Sequence, residues 1–161
     1  MAEQKTNAMR LAEQAGVSFT AHSYPWDGKT APDGASVAKM LGLDPGQVFK
    51  TLVAKGASGG YFVFEVPVEE TLDLKKAAKA VGEKSIEMLP LKELFPLTGY
   101  VHGGCSPIGM KKPFPTVFDE TSILYDTIYI SAGKIGLQIE AAPGDPMTLT
   151  GGVTADITVQ K

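Results

Sequence analysis

The stretch GQVFKTLVAKG-ASGG-YFVFEVPV, residues 46–68, decides the fold. Residues 46–56 and 61–68 are apolar runs rich in β-branched and aromatic residues, which favour strands. The four residues at 57–60 that separate them are small, and two of them are glycine. Two strand-like runs joined by a short loop containing glycine predict a β-hairpin. We therefore expect an antiparallel strand pair near the middle of the chain.

Short helices and strands are predicted on both sides of this hairpin. The spacing of apolar residues and the stop signals predict helices over 4–15, 35–41, 72–82, around Leu91–Phe95, and as a capped turn over 143–150. Strands are predicted over 17–24, within 84–101 on both sides of the short helix, and over 116–119, 123–131, the residues after Gly133 up to 140, and 155–159. The elements are interspersed without strict βαβ units. This order predicts a mixed α/β domain whose curled, barrel-like sheet is flanked by short helices.

Length and composition narrow the class of protein. A chain of 161 residues suits one domain, spanning 1–161, and 43% hydrophobic with 20% charged residues is globular rather than disordered or coiled-coil. One cysteine excludes an internal disulfide, and with only two histidines no metal site is expected. Without a long apolar run or a signal peptide, we expect a cytoplasmic protein that does not engage a membrane. No nucleotide-binding glycine motif is present, so no cofactor is expected.

Lys50 is the first residue that could carry chemistry. In a strand it shares one face with Val48 and Leu52, while Phe49 and Thr51 lie on the other face. A lysine among apolar neighbours is costly to bury. Two interpretations are open: the strand lies at an edge and the lysine extends into water, or its charge stands at the rim of a pocket for a phosphate or carboxylate.

The loop GGCSPIG at 103–109 is the second feature. Its paired glycines allow close approach of the backbone, Ser106 adds a hydroxyl, and two lysines follow at 111–112. Such a loop can direct N–H groups at an anion or a developing oxyanion, although a tight structural turn is the usual explanation. The segment Ser131–Lys134, at a strand end, is a second pocket wall or an ordinary hairpin turn.

Other reactive residues give weaker signals. Cys105 with His102 could form a nucleophile and base, but a lone cysteine is more often a small apolar filler. The carboxylates show no pairing that would separate acid and base roles. Lysines 75, 76, 79 and 84 form either a solvated helix face or a nucleic-acid contact. The net charge of −3 excludes a basic field over the whole molecule.

Four segments together resemble a known family. VFKTL at 48–52, LDLKKAAKAVG at 72–82, TGYVHGGCSPIGMKK at 98–112 and IYISAGKIGLQIE at 128–140 occur in this order and spacing in YbaK-type aminoacyl-tRNA deacylases. The editing insertion of bacterial prolyl-tRNA synthetases is similar. The resemblance extends from HSY at 22–24 to ADI at 155–157, nearly the whole chain.

This resemblance implies an editing enzyme. YbaK-type proteins remove cysteine from Cys-tRNA(Pro), an error that arises because a pocket selecting by size cannot reject a near-isostere. The 3′ end of aminoacylated tRNA(Pro) is the implied substrate and prolyl-tRNA synthetase the implied partner, because a chain of charge −3 should bind free tRNA weakly. Two alternatives remain open: an Ala-tRNA(Pro) deacylase of the synthetase-insertion type, and a non-catalytic module that binds tRNA or a nucleotide.

The resemblance also implies roles for individual residues. Lys50 matches the family's essential lysine, which holds the phosphate or sugar of the tRNA 3′ end, and the substrate's own thiol is thought to attack the ester. With the loop analysis, this assigns catalytic roles to Lys50, Gly103, Gly104 and Ser131, and substrate-binding roles to Tyr24, Thr51, Ser106, Pro107 and Gly133. The chain departs from relatives at Asp33, where an aromatic residue can stand, and at Gln138, where some carry aspartate. Cys105 fills a free position of the loop motif, which gives it no catalytic role.

Overall fold

A computed structural model describes residues 5–160. The α-helices are α1 Asn7–Gln14, α2 Gly34–Met40, α3 Leu74–Val81, α4 Leu91–Thr98 and α5 Gly144–Thr150. The β-strands are β1 Thr20–Ser23, β2 Phe49–Gly56, β3 Tyr61–Pro67, β4 Ile86–Met88, β5 Thr116–Asp119, β6 Ile128–Ser131, β7 Leu137–Ala141 and β8 Val153–Ala155. Two 3-10 turns, Pro45–Gln47 and Glu120–Leu124, precede β2 and β6.

The strands form two sheets. One has the order β1-β7-β6 and is antiparallel, and the other has the order β4-β2-β3-β5-β8. In the larger sheet, β2 pairs antiparallel with β3 and β4, while β5 runs parallel to β3 and β8. A parallel bridge between Val48 and Tyr129 joins the two sheets. The mixed α/β prediction is confirmed, and the larger sheet keeps open edges instead of closing into a barrel.

The predicted hairpin is confirmed. β2 and β3 pair from Phe49↔Pro67 to Lys55↔Tyr61, with the turn at 57–60. Gly56 N–H donates to the Gly60 carbonyl at 2.8 Å, and Gly59 adopts a φ of +94°, a left-handed conformation suited to glycine.

The two faces of β2 pack into different cores. Ala54 and Leu52 pack with the α3 residues Ala77 and Ala78, whereas Phe49 packs in the cluster that includes Ile130. The strand alternation that separates Lys50 from Phe49 and Thr51 is therefore observed. Helix α3 is held at its start by the Asp73 carboxylate, which accepts from two backbone N–H groups of the first turn.

Three sequence predictions need correction. The strand predicted over 123–131 begins only at Ile128, because the Asp119 carboxylate accepts from Thr121 N–H and starts a 3-10 turn. No return strand forms at 99–101, since α4 ends at Gly99, whose φ of +85° turns the chain into the following loop. The strand predicted over 155–159 is the edge strand β8, Val153–Ala155, and closes no sheet. The helix predicted over 4–15 is α1, and residue 4 lies outside the described residues.

Glu65 is a buried carboxyl group in the middle of β3. Its residue is fully inaccessible to solvent, and neither carboxyl oxygen has a hydrogen-bond partner among residues 5–160. Thr51 lies directly opposite on β2, and its hydroxyl oxygen is likewise unpartnered. Burial raises the pKa of Glu65 well above its ordinary value, and the Thr51 hydroxyl acts in the opposite direction. The fold therefore favours the protonated, neutral acid.

Replacing this acid by an amide should change how stability depends on pH. The unfolded chain releases the Glu65 proton near the ordinary pKa of 4.5, while the folded chain retains it up to the raised pKa. Wild-type stability should thus fall as pH rises through this window. Relative to wild type, Glu65→Gln should gain about 1.4 kcal/mol for each pH unit within it. Urea unfolding at several pH values measures this, with the exposed Glu69→Gln as the matched control. A difference that does not vary with pH would contradict the assignment of a buried neutral acid.

Candidate functional site

A cavity of about 320 Å³ opens at the start of β2. Its walls come from the first residues of α2, the loop after α4, and the strand ends of the smaller sheet. The predicted site residues that line it are Tyr24, Lys50, Thr51, Gly103 and Ser131. Further lining residues include Asp33, Leu94, His102, Cys105 and Gln138. Segments far apart in sequence thus meet in one cavity.

Lys50 is half-buried in the cavity wall. β2 pairs with β3 along its length but with β4 only at Ala54–Gly56, so Lys50 has a ladder partner on the β3 side alone among the strand pairs of residues 5–160. Burial lowers the pKa of Lys50, while the negative charge of Glu70 opposes this change. Of the two interpretations of Lys50, the structure supports the one that places a cation at a pocket.

The glycine loop has one N–H that is suited to an oxyanion and one that is not. Gly103 has a φ of +87°, and a Cβ there would lie 2.7 Å from Ala31 Cβ, so both conformation and space require glycine. Among residues 5–160, no acceptor engages Gly103 N–H. Gly104 N–H donates to the Val101 carbonyl at 3.0 Å. Of the two predicted oxyanion donors, Gly104 therefore has its N–H engaged within the loop, and the role of Gly103 stays a prediction.

Three predicted substrate-binding residues support the walls without lining the cavity. Ser106 and Pro107 are buried, and Ser106 Oγ accepts from Ile108 N–H at 3.2 Å. Gly133 N–H donates to Ser131 Oγ at 3.2 Å, and a Cβ at Gly133 would lie 2.8 Å from the Tyr100 ring. These residues hold the loop and the end of β6 in place. Their predicted direct contact with substrate is not supported by this geometry.

Cys105 lacks the features of a nucleophile. Its side chain is buried, and burial raises the pKa of the thiol to about 12, with a further rise from Glu65 that the Thr98 hydroxyl opposes. A thiol with this pKa is not a thiolate at neutral pH. His102, the predicted base, is exposed at the mouth of the cavity. The cavity wall therefore carries Cys105 as an apolar filler.

Two cavity residues were not predicted as site residues. Gln138 is only 6% exposed, and its side-chain oxygen Oε1 has no hydrogen-bond partner among the described residues. A buried acceptor without a partner suits a ligand that donates a hydrogen bond. The Asp33 carboxylate accepts from Ser36 N–H at 2.7 Å, and hydrogen bonding to Ser36 lowers its pKa. For Gln138, the signal available in the sequence was a polar residue between the apolar residues Leu137 and Ile139 of a predicted strand.

Residues 5–160 contain no group of three or more histidine, cysteine or acidic residues placed to hold a metal ion. No described helix is both long enough and apolar enough to cross a bilayer.

Known proteins share this fold and sequence. Residues 29–148 match the model of the aminoacyl-tRNA editing domain. A relative from Enterococcus faecalis (strain ATCC 700802 / V583), described as a candidate Cys-tRNA(Pro)/Cys-tRNA(Cys) deacylase, EbsC, is 48% identical over 159 residues, covering 99% of this chain and 96% of the relative.

Solved structures show the same fold. The crystal structure of a candidate trans-editing enzyme for prolyl-tRNA synthetase matches with a TM-score of 0.82 and 27% identity, covering 98% of this chain and 100% of that one. The hypothetical protein APE2540 matches with a TM-score of 0.83 and 21% identity, covering 93% and 97%. The family itself is shown by the sequence match over 29–148 and by the 48% identical relative. The protein belongs to the aminoacyl-tRNA editing domain family.

Proposed function

We propose that this protein is a trans-editing aminoacyl-tRNA deacylase that hydrolyses the ester of Cys-tRNA(Pro). Family membership and the 48% identical deacylase relative support this reaction. One observation carries the proposal at the site: the cavity contains a half-buried lysine, Lys50, while its cysteine, Cys105, has a buried thiol that stays protonated at neutral pH. Such a site suits a substrate that brings both an anionic tRNA end and its own nucleophile. The chain acts as one editing domain, 1–161, in the cytoplasm, where tRNA is charged.

Different cavity residues bind different parts of the substrate. Lys50 attracts a phosphate or the terminal ribose of the tRNA, and the partly desolvated cavity strengthens this interaction. Ser131 and Tyr24 position the terminal adenosine, and Thr51 lies next to Lys50 along β2. A volume of about 320 Å³ is at the small end of ligand pockets. It suits the end of the tRNA with a small aminoacyl group.

In the chemical step, the substrate itself supplies the nucleophile. The sulfur of the esterified cysteine attacks its own carbonyl carbon, and the negative charge that forms on the carbonyl oxygen is stabilised by Gly103 N–H. The ester C–O bond then breaks, and the ribose oxygen takes the proton that the thiol loses. The products are tRNA with a free hydroxyl and a cyclic thioester, which water opens to cysteine. Holding the thiol and carbonyl together supplies the rate advantage of an intramolecular reaction.

Prolyl-tRNA synthetase is the proposed partner. A chain of net charge −3 has no overall electrostatic attraction for tRNA. A partner protein must therefore supply part of the affinity and the selectivity for tRNA(Pro). The structural neighbour described as a trans-editing enzyme for prolyl-tRNA synthetase supports this assignment. In this arrangement the synthetase supplies mischarged tRNA directly.

The test compares deacylation of Cys-tRNA(Pro) and Ala-tRNA(Pro) by wild type, Lys50→Ala and Lys39→Ala. Lys39 is an exposed lysine of α2 outside the cavity lining and is the matched control. We expect wild type and Lys39→Ala to cleave the Cys ester selectively. Loss of the Lys50 charge should reduce that rate by about a hundredfold or more, the effect of losing one positioned electrostatic group.

Each other outcome has a definite meaning. Preference for the Ala ester would move the protein to the synthetase-insertion type of deacylase. Hydrolysis of neither ester, with synthetase present, would leave a binding module and reject the proposed reaction.

Cys105 provides an independent prediction. Because its thiol is buried and its pKa is raised to about 12, it should resist alkylation by iodoacetamide in the folded protein and react once the chain is unfolded. Cys105→Ser should retain deacylation within about threefold, since substitutions that remove no catalytic group have small effects. Mass spectrometry of the labelled protein and a single-turnover assay measure both. Rapid labelling of the folded protein, or loss of turnover in Cys105→Ser, would contradict this prediction and indicate that Cys105 acts as a nucleophile.

A further inference from the structure

Aromatic and lysine side chains alternate on a surface beside α4. Lys55 Nζ lies 5.8 Å from the centre of the Tyr61 ring, and Tyr61 contacts Phe114 edge-on with ring centres 5.8 Å apart. Tyr61 also lines a groove of about 410 Å³ with the α4 residues Lys92, Glu93, Pro96 and Leu97. This series of contacts connects the far end of the hairpin to α4.

The surface continues over α4 toward the cavity. Lys111 Nζ donates to the Pro96 carbonyl at 3.2 Å and lies 5.6 Å from the centre of the Phe95 ring. Phe95 is 55% exposed, an unusual environment for a large aromatic residue. Its neighbour Leu94 lines the catalytic cavity. We call the set Lys55, Tyr61, Lys92, Phe95, Lys111 and Phe114 the aromatic–lysine surface.

Charge distinguishes this surface from the rest of the molecule. Lys112 follows Lys111 and is exposed, giving four lysines in the region. The acidic residues among them are Glu93 in the groove and Glu87, the cross-strand neighbour of Lys55. The region is therefore net positive on a chain whose total charge is −3.

The lysines of α3 behave differently. Lys76 Nζ binds both carboxylate oxygens of Asp156, at 2.9 and 3.1 Å, and the Thr158 carbonyl at 2.9 Å. This lysine already has an anionic partner within the chain. The other predicted members of that stripe have no exposed aromatic contact among the described ring contacts, so α3 lacks the stacking element.

We propose that the aromatic–lysine surface binds the single-stranded 3′ end of tRNA, at the nucleotides that precede the terminal adenosine. Proteins bind single strands through lysines that follow the backbone and aromatic rings on which bases stack. Here both elements stand together and lead over α4 to the cavity. The inference rests on the proposed function, which places the terminal adenosine in that cavity. The inference adds the path by which the single-stranded end of the tRNA reaches the cavity.

Binding of RNA that carries no amino acid tests this surface without requiring hydrolysis. The probe is a fluorescent single-stranded oligoribonucleotide ending in CCA, with fluorescence anisotropy measured over a range of low salt concentrations. The variants are Phe95→Ser and Lys92→Glu, both at exposed positions of α4. Lys79→Glu, an exposed position on α3, makes the same charge change and is the matched control. Unchanged melting temperatures establish that each variant is folded.

We expect Phe95→Ser to weaken binding by about tenfold through lost stacking. Lys92→Glu should weaken it similarly and reduce the slope of log affinity against log salt by at least about 0.7, the share of one phosphate contact on a single strand. Lys79→Glu should differ from wild type by less than about twofold. In turnover assays, both α4 variants should raise KM for Cys-tRNA(Pro) while leaving kcat/KM for the short ester cysteinyl-adenosine unchanged.

Two results would overturn the inference. One is equal RNA affinity for wild type and both α4 variants. The other is a defect that appears only when prolyl-tRNA synthetase is added, which would assign the surface to a protein contact. Failure of the proposed function would look different: wild type itself would leave every cysteinyl ester intact, whatever the RNA affinities.

Discussion

The register of β2 against β3 is the constraint on which the site depends. Pairing Thr51 with Glu65 puts Lys50 opposite Val66, near the start of β2, and directs Leu52 and Ala54 to the core under α3. A slip of one residue would exchange the two faces of β2 and bring Thr51 into that apolar core. The hairpin turn at 57–60 and the packing of both faces resist this slip. Correct folding of one hairpin therefore also positions the lysine of the cavity.

The same register creates a layer of neutral polar groups behind the cavity. Glu65 is buried without a hydrogen-bond partner among residues 5–160, the hydroxyl oxygen of Thr51 opposite it is likewise unpartnered, and burial raises the pKa of the Cys105 thiol to about 12. Both the acid and the thiol favour their protonated forms. The site therefore presents Lys50 as a cation in front of this neutral layer, and Asp33 is the acidic residue of the cavity lining. This environment suits binding of an anionic tRNA end and makes nucleophilic attack by the protein unfavourable.

Much of the fold and part of the site could be predicted from the sequence. The hairpin, α3 and the loop at 102–112 have strong local signals, and alternation along β2 singled out Lys50. The start of β6 could not be read from residues 123–131, because a side-chain cap at Asp119 overrides their strand propensity. The open sheet depends on pairing between β5 and β8, which are distant in sequence.

The details of the site depend on contacts that no motif encodes. Whether Gly103 or Gly104 offers a free N–H is decided by the Val101 carbonyl, and whether Ser106 faces the ligand is decided by Ile108 N–H. The sequence marked Gln138 only as a departure from relatives, and its place on the cavity wall became known from the structure. The conformations of the loops determine these hydrogen bonds and positions.

In the proposed reaction, the protein positions the ester and the substrate's thiol cleaves it. The most direct measurement compares single-turnover deacylation of Cys-tRNA(Pro) with that of Ser-tRNA(Pro), two substrates of nearly equal size that differ in sulfur and oxygen. We expect rapid loss of the cysteinyl ester and persistence of the seryl ester at a protein concentration that saturates both. Equal rates would contradict it, since a water molecule held by the protein would then perform the attack.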